Sequence, residues 1–139
     1  MATSRTLGQF ARRMRLRADQ VVANTEKAVR RAALAADQTL VLATPVDTGR
    51  ARGAWLASIN SIRERFDAAT DRAGATTIAE AQQVIDQWKL GDGTIFISNS
   101  VPYIVPLDEG HSKQAPGGMS AAGLAAARAE LRNAKLLEG

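Results

Sequence analysis

The chain has 139 residues, 45% of them hydrophobic and only 4% aromatic, with a formal net charge of +4; this is enough for one domain whose core is built from alanine and other small side chains. With no cysteine and a single histidine, disulfides and thiolate metal sites are excluded, and neither a metal nor a cofactor is expected. No run approaches the roughly 18–20 apolar residues of a membrane span, and the basic N-terminus lacks the apolar core and cleavage site of a secretory signal. A protein assembled inside the cell, with no membrane partner, is the expectation.

The charge is unevenly spread. Residues 1–35 hold eight Lys or Arg against two acids, whereas residues 76–110 hold one lysine against five acids. A chain with a basic end and an acidic middle can stack on its own copies or on a complementary neighbour, and its basic end can also meet nucleic acid.

From Leu7 to Ala43 there is no proline, and no glycine after Gly8. Apolar or small residues at Leu7, Phe10, Met14, Val21, Ala28, Val29, Ala32, Ala36 and Leu40 recur mostly in steps of three, four or seven, the signature of one helix face. This predicts a helix over about 7–43, about 50 Å long if unbroken. Its weak stretch is Asp19 to Thr25, and Pro45 enforces its end. Arg12, Arg13, Arg15, Arg17, Arg30 and Arg31 decorate it. Of these, Arg12, Arg13, Arg30 and Arg31 lie beside the apolar stripe, where long side chains commonly cover the edge of a core.

Thr44–Arg52 reads as a turn, because Pro45 fixes one torsion, Asp47 can bond the backbone ahead of it and Gly49 permits positive φ. Asp47 and Arg50 are placed to pair across it. Residues 53–60 form a predicted strand with Trp55, Ala57 and Ile59 on one face, and Ser61–Gly74 a linker or short helix. A helix is predicted over 77–90, capped by Thr77 and Glu80, with Ile78, Ala81, Val84, Ile85 and Trp88 on its apolar face and Gly91-Asp92-Gly93 as its stop. Strands follow at 94–98 and 103–107, the second near a sheet edge because of Pro102 and Pro106. After a loop at Gly110–Gly118, a helix at 120–137 should bury Leu124, Ala127, Leu131 and Ala134. The fold class is therefore α+β.

His111, flanked by Asp108, Glu109, Ser112 and Lys113, is where an enzyme would be sought. Those groups lie in one glycine-bounded loop, and no second cluster supplies a nucleophile, so the reading is a loop that bonds its own backbone and a neighbouring subunit. Gly91-Asp92-Gly93 and Gly117-Gly118 lack the Lys-Ser/Thr of a phosphate loop and serve as punctuation. The arginine-rich helix is the stronger rival, since six arginines could neutralise phosphates. It has no aromatic interleaving for single strands and no recognisable duplex-reading module.

One segment comprises Pro45, Val46, Asp47, Thr48, Gly49 and Arg50, after a long N-terminal helix. Another comprises Val101, Tyr103, Leu107, Glu109, Gly110, His111 and Ser112, then Pro116 and Met119 ahead of a C-terminal helix. Together they resemble the HK97-type tail-component family of tailed bacteriophages, whose members act in tail completion or at the neck. The acidic helix at 77–90 departs from the family as an insertion between the strands, and the C-terminal segment lacks an aromatic near its start. The resemblance implies a long helix packed on a small antiparallel sheet, and a non-enzymatic job in the virion at the head–tail junction. It also implies an oligomeric ring, sixfold by the symmetry of such tails or twelvefold on the portal side, with tail-terminator, tail-tube or head-closure proteins as neighbours and genomic DNA close by. On this reading the turn carrying Pro45, Asp47, Thr48, Gly49 and Arg50 and the segment carrying Tyr103, Glu109, Gly110, His111, Ser112 and Lys113 are contact elements. The basic helix would pack on an acidic surface of the next subunit, the 77–90 helix being the candidate, or of a neighbouring ring.

Overall fold

A computed structural model describes residues 6–67 and 69–136. The architecture is α+β: a long N-terminal helix packs on a small antiparallel sheet, with one helix inserted between the strands and another at the C-terminal end. Among the described residues no helix is long and apolar enough to cross a membrane.

Helix α1 runs without a break from Leu7 to Ala43, 37 residues and about 55 Å. It opens with a reciprocal cap, the Thr6 hydroxyl accepting from Gln9 N–H and the Gln9 side chain accepting from Thr6 N–H, both at 3.1 Å. The stretch Asp19 to Thr25 does not interrupt the helix, and Thr25 satisfies its hydroxyl on the Val21 carbonyl at 2.7 Å. Pro45 and the extended backbone of Thr44 end it.

A single helical turn, α2 (Arg50–Gly53), leads into β1 (Trp55–Ile59), which pairs antiparallel with β2 (Ile95–Asn99), Ala57 opposite Ile97. Residues 61–65 lie over the outer face of this ribbon: Ser58 and Ser98 donate to the carbonyls of Ser61 and Arg63. Ser58 is accordingly buried although it lies on the face opposite Trp55 and Ala57. Helix α3 (Ala75–Ile85) lies between the strands in sequence and packs on β1 and α1. Two apolar clusters result. One gathers Val41, Trp55 and Met119, the other Ala57, Ala81 and Ile85.

Three expectations are corrected. Residues 103–107 are not a strand; Ile104–Asp108 form a short helix, α4, whose Ile104 and Leu107 pack on the first cluster. Pro106 falls within its first turn, where a missing N–H costs no helical bond. Helix α3 starts earlier than 77 and ends at Ile85 rather than near 90. Thr77 and Glu80 form no capping box there: Asp71 accepts from the Thr77 N–H and hydroxyl and from Gly74 N–H, while Glu80 pairs with Arg65. Burial, the largest single influence on the Asp71 carboxyl, pushes its pKa up, but the hydrogen bonds led by Thr77 N–H outweigh it and hold the pKa below the ordinary carboxylate range.

Helix α5 (Ser120–Arg132) stops short of the expected 120–137, the last residue of which lies outside the described residues, and it lies antiparallel along α1. Its closest approach is made by Gly123, where an added Cβ would stand 2.9 Å from Leu40. The alanine-rich face is therefore the inner one, and Leu124 and Leu131 point outward, about half exposed. The stripe of α1 divides in two. Ala28, Ala32 and Val41 are buried as core, but Leu7, Phe10 and Met14 are exposed, because no described residue outside the helix covers α1 before residue 20.

Candidate functional site

The C-terminal end of α1 is where the turn at 44–52 and the segment 101–119 meet. The turn after Thr44 is held from four sides. Trp55 Nε1 donates to the buried Thr44 hydroxyl at 2.7 Å, which in turn donates to the Leu40 carbonyl at 2.6 Å. Arg52 reaches the carbonyls of Leu42 and Thr44, both at 2.9 Å, and that of Arg72 at 2.7 Å, while its Nε is buried without an acceptor. Arg72 donates to the Asp47 carbonyl. Asn99 of β2 donates to the Ala51 carbonyl at 2.8 Å. No Asp47–Arg50 pair forms; both side chains are exposed, and the guanidinium that closes the turn is that of Arg72, supplied from the linker. Gly49 has φ +91 and lies against the Arg72 backbone, so it is a structural requirement of the turn more than a contact residue.

The second segment folds back onto the first. The Gln114 side-chain amide brackets Val46, accepting from its N–H at 2.8 Å and donating to its carbonyl at 3.0 Å. Asp108, at the end of α4, caps α5: it accepts from the Ser120 hydroxyl at 2.6 Å, Ser120 N–H at 2.7 Å and Met119 N–H at 2.9 Å. The Ser120 hydroxyl is the chief reason that its pKa lies below the ordinary carboxylate range, with the Ser120 and Met119 N–H groups adding to it against an opposing effect of burial. A group shifted this way stabilises the fold above its unfolded pKa and loses that contribution as pH falls through the folded one. Asp108→Ala should therefore cost about 1 kcal/mol at pH 7. In urea titrations its difference from wild type should shrink below about pH 4, and a constant difference down to pH 2 would argue against the cap.

Between the two segments lies an open cleft of about 490 Å³. Pro45, Val46 and Thr48 form one wall and Tyr103, Leu107 and Ser112 the other, with Asp47, Arg50 and Gln114 at the rim. Glu109, Gly110, His111 and Lys113 belong to the adjoining loop and do not line it; the Glu109, His111 and Lys113 side chains are exposed. The loop is closed by backbone bonds, among them His111 N–H to the Pro106 carbonyl at 3.1 Å and Ala115 N–H to the Ser112 carbonyl at 3.2 Å. The His111 imidazole has no hydrogen-bonding partner among the described residues, and no group of three His, Asp or Glu there is placed to hold a metal.

The arginines of α1 divide into two sets. Arg30 is committed to its own chain, donating to the Trp88 carbonyl at 2.7 Å and pairing with Glu26 at 3.3 Å. Arg31 lines a groove between α1 and the C-terminal end of α5 with Lys27 and Glu130. Arg12, Arg13, Arg15 and Arg17 stand on the uncovered end of α1, where Arg13 lies 5.9 Å above the Phe10 ring. The basic surface open to a partner thus comprises Arg12, Arg13, Arg15 and Arg17, with Arg31 exposed farther along the helix, and Arg30 leaves it.

Sequence reasoning passed over Arg52, Arg72, Gln114 and Thr44, which build the site. Gln114 lies in the EGHSKQAP tract and Arg52 two residues past the first motif, so a search extended along each motif would have reached both. Nothing local marks Arg72. Comparison with known proteins returns no match: no family model, no curated protein and no solved structure aligns with the chain.

Proposed function

We propose that this chain is a structural virion protein of a tailed phage, completing the tail or joining tail to head as part of an oligomeric ring at the neck. The observation that carries the reading is the convergence of the two family-like segments, 68 residues apart at Val46 and Gln114, into one rigid, cleft-bearing end of the molecule. That end is built from backbone-anchoring hydrogen bonds and apolar walls, the make-up of a docking surface. The deletion of this gene from its phage, followed by negative-stain electron microscopy of the lysate, is the test. DNA-filled heads beside unattached or abnormal tails are expected. Normal, joined particles would remove the neck role.

One observation favours a second reading, a DNA-associated binding protein: the end of α1 carries Arg12, Arg13, Arg15 and Arg17, all exposed and with no acid before Asp19. Its mark would be duplex affinity that falls steeply with salt. The same end of the helix also exposes Leu7, Phe10 and Met14, which a phosphate backbone would leave in water, and this ranks the protein-contact reading first.

A further inference from the structure

Among the described residues, two unfilled features lie at opposite ends of one unbroken helix. At the N-terminal end, residues 7–19 of α1 are all exposed, yet the helix is properly capped by Thr6 and Gln9. Leu7, Phe10 and Met14 share a face and are 86%, 51% and 54% exposed. That face continues into Ala28 and Ala32, which are buried, with α5 alongside that half of the helix. Among the described residues the chain after α5 reaches α1 at Asn24, which donates to the Leu136 carbonyl at 2.9 Å, and none of them covers the stripe before residue 20. At the other end, the cleft walled by Val46, Tyr103 and Leu107 has about 490 Å³ of free space, within the roughly 300–1,000 Å³ of pockets that take sizeable apolar groups.

We propose that the N-terminal tip of α1 of one copy seats in the Val46–Tyr103 cleft of a second copy, Leu7 and Phe10 entering the cleft and Asp47 beside it meeting Arg13, which lies over the Phe10 ring. This rests on the reading of the cleft as a contact surface. A tip about 55 Å from its own cleft along an unbroken helix cannot fill it, so the contact is between chains. Other occupants fit less well. A second tip would set four arginines against four. The outer face of α5 offers Leu124 and Leu131 but carries Arg128 and Arg132, and the polar outer face of α3, with Glu80 paired to Arg65 and Gln83 beside it, offers no large apolar side chain. The cleft end combines apolar walls with balanced charge, Asp47 and Glu109 against Arg50 and Lys113. A tip-to-cleft contact is head-to-tail, so it propagates and closes into a ring where the rotation allows.

The test is sedimentation of the full chain over a concentration series, with Phe10→Asp at the tip and Thr48→Trp in the cleft wall, both at exposed positions. Wild type should form concentration-dependent oligomers, and each variant should remain monomeric with an unchanged thermal midpoint. Mixing the two should give a complex of twice the monomer mass and nothing larger, since one intact tip and one intact cleft remain. Wild type that stays monomeric to its solubility limit overturns the contact, as does either variant assembling like wild type. Oligomers lost with Phe10→Asp but kept with Thr48→Trp would indicate tip-to-tip pairing and overturn it as well. If either variant unfolds, Phe10→Ser and Asp47→Lys replace them under the same criteria. A junction defect on gene deletion, with variants that assemble normally, would sink this contact alone and leave the neck role standing.

Discussion

Replacing Asp37 with leucine should stabilise the protein by about 2–3 kcal/mol at pH 8 and by much less at pH 5. Asp37 is fully buried on α1, and both of its carboxylate oxygens lack a hydrogen-bond partner. One helical turn before it, Ala33 and Leu34 pack on the Ala57–Ile85 cluster; one turn after it, Leu40 and Val41 belong to the Val41–Trp55–Met119 cluster. The carboxyl thus sits where the two apolar clusters adjoin. Desolvation raises its pKa from 3.8 to about 7.

The sign is opposite to that of the familiar paired carboxylate. Between the unfolded value of 3.8 and the folded value of about 7, the folded state keeps a proton that the unfolded chain has released. Stability therefore falls as pH rises through that window, and the loss is complete above it. One pKa unit is about 1.4 kcal/mol, which caps the loss near about 4 kcal/mol; relaxation and the extra volume of leucine reduce what substitution recovers. Asp37→Asn separates the effects, since it removes the titration but keeps a buried polar group. Urea unfolding of wild type and both variants at pH 5, 6, 7 and 8 should show a falling midpoint for wild type alone, set against a common background. A wild-type-minus-Asp37→Asn difference that is the same at pH 5 and pH 8 would mean the carboxyl is solvated in solution.

Such a carboxylate could not be read from the sequence, because Asp37 in the run AALAADQTL has the surroundings of any solvated helix residue. What was readable had strong local signals. The α1 boundaries followed from the Thr44-Pro45 stop, and β1 and β2 from short β-rich runs bounded by turn residues. The strand expected at 103–107 failed because YIVPL has strand composition, while its conformation is set by tertiary packing of Ile104 and Leu107 under Met119. The buried face of α5 was misread for a similar reason. Helices that approach as closely as Gly123 allows bury small residues and turn leucines outward, the reverse of the usual stripe. As for the site, each motif was visible alone; that Gln114 brackets Val46 is long-range geometry that no local pattern encodes.

The second large effect concerns Gly53, which follows the first motif and sits at the last residue of α2. The returning linker crosses this turn so closely that a Cβ on Gly53 would stand 2.2 Å from the Ala69 carbonyl oxygen and 3.1 Å from Asp71 N. Both obstacles are backbone, so no side-chain rotation relieves them. The linker cannot easily retreat, because Asp71 N–H donates to the Gly49 carbonyl at 3.0 Å and its carboxylate caps α3. Gly53→Ala must therefore either push the linker off the turn, releasing Arg72 from Asp47, or unwind α2. Overpacking of this kind costs about 2–3 kcal/mol, a thermal midpoint lower by roughly 6–12 °C for a chain of this size. Gly117→Ala is the matched control: it has nothing within 4 Å of the added Cβ and should leave the midpoint unchanged. The loss should extend to the site, because Val46 and Thr48 lie on the turn that Arg72 holds. If Gly53→Ala melts with wild type, the linker does not cross the turn as described, and the rigid wall of the cleft goes with it.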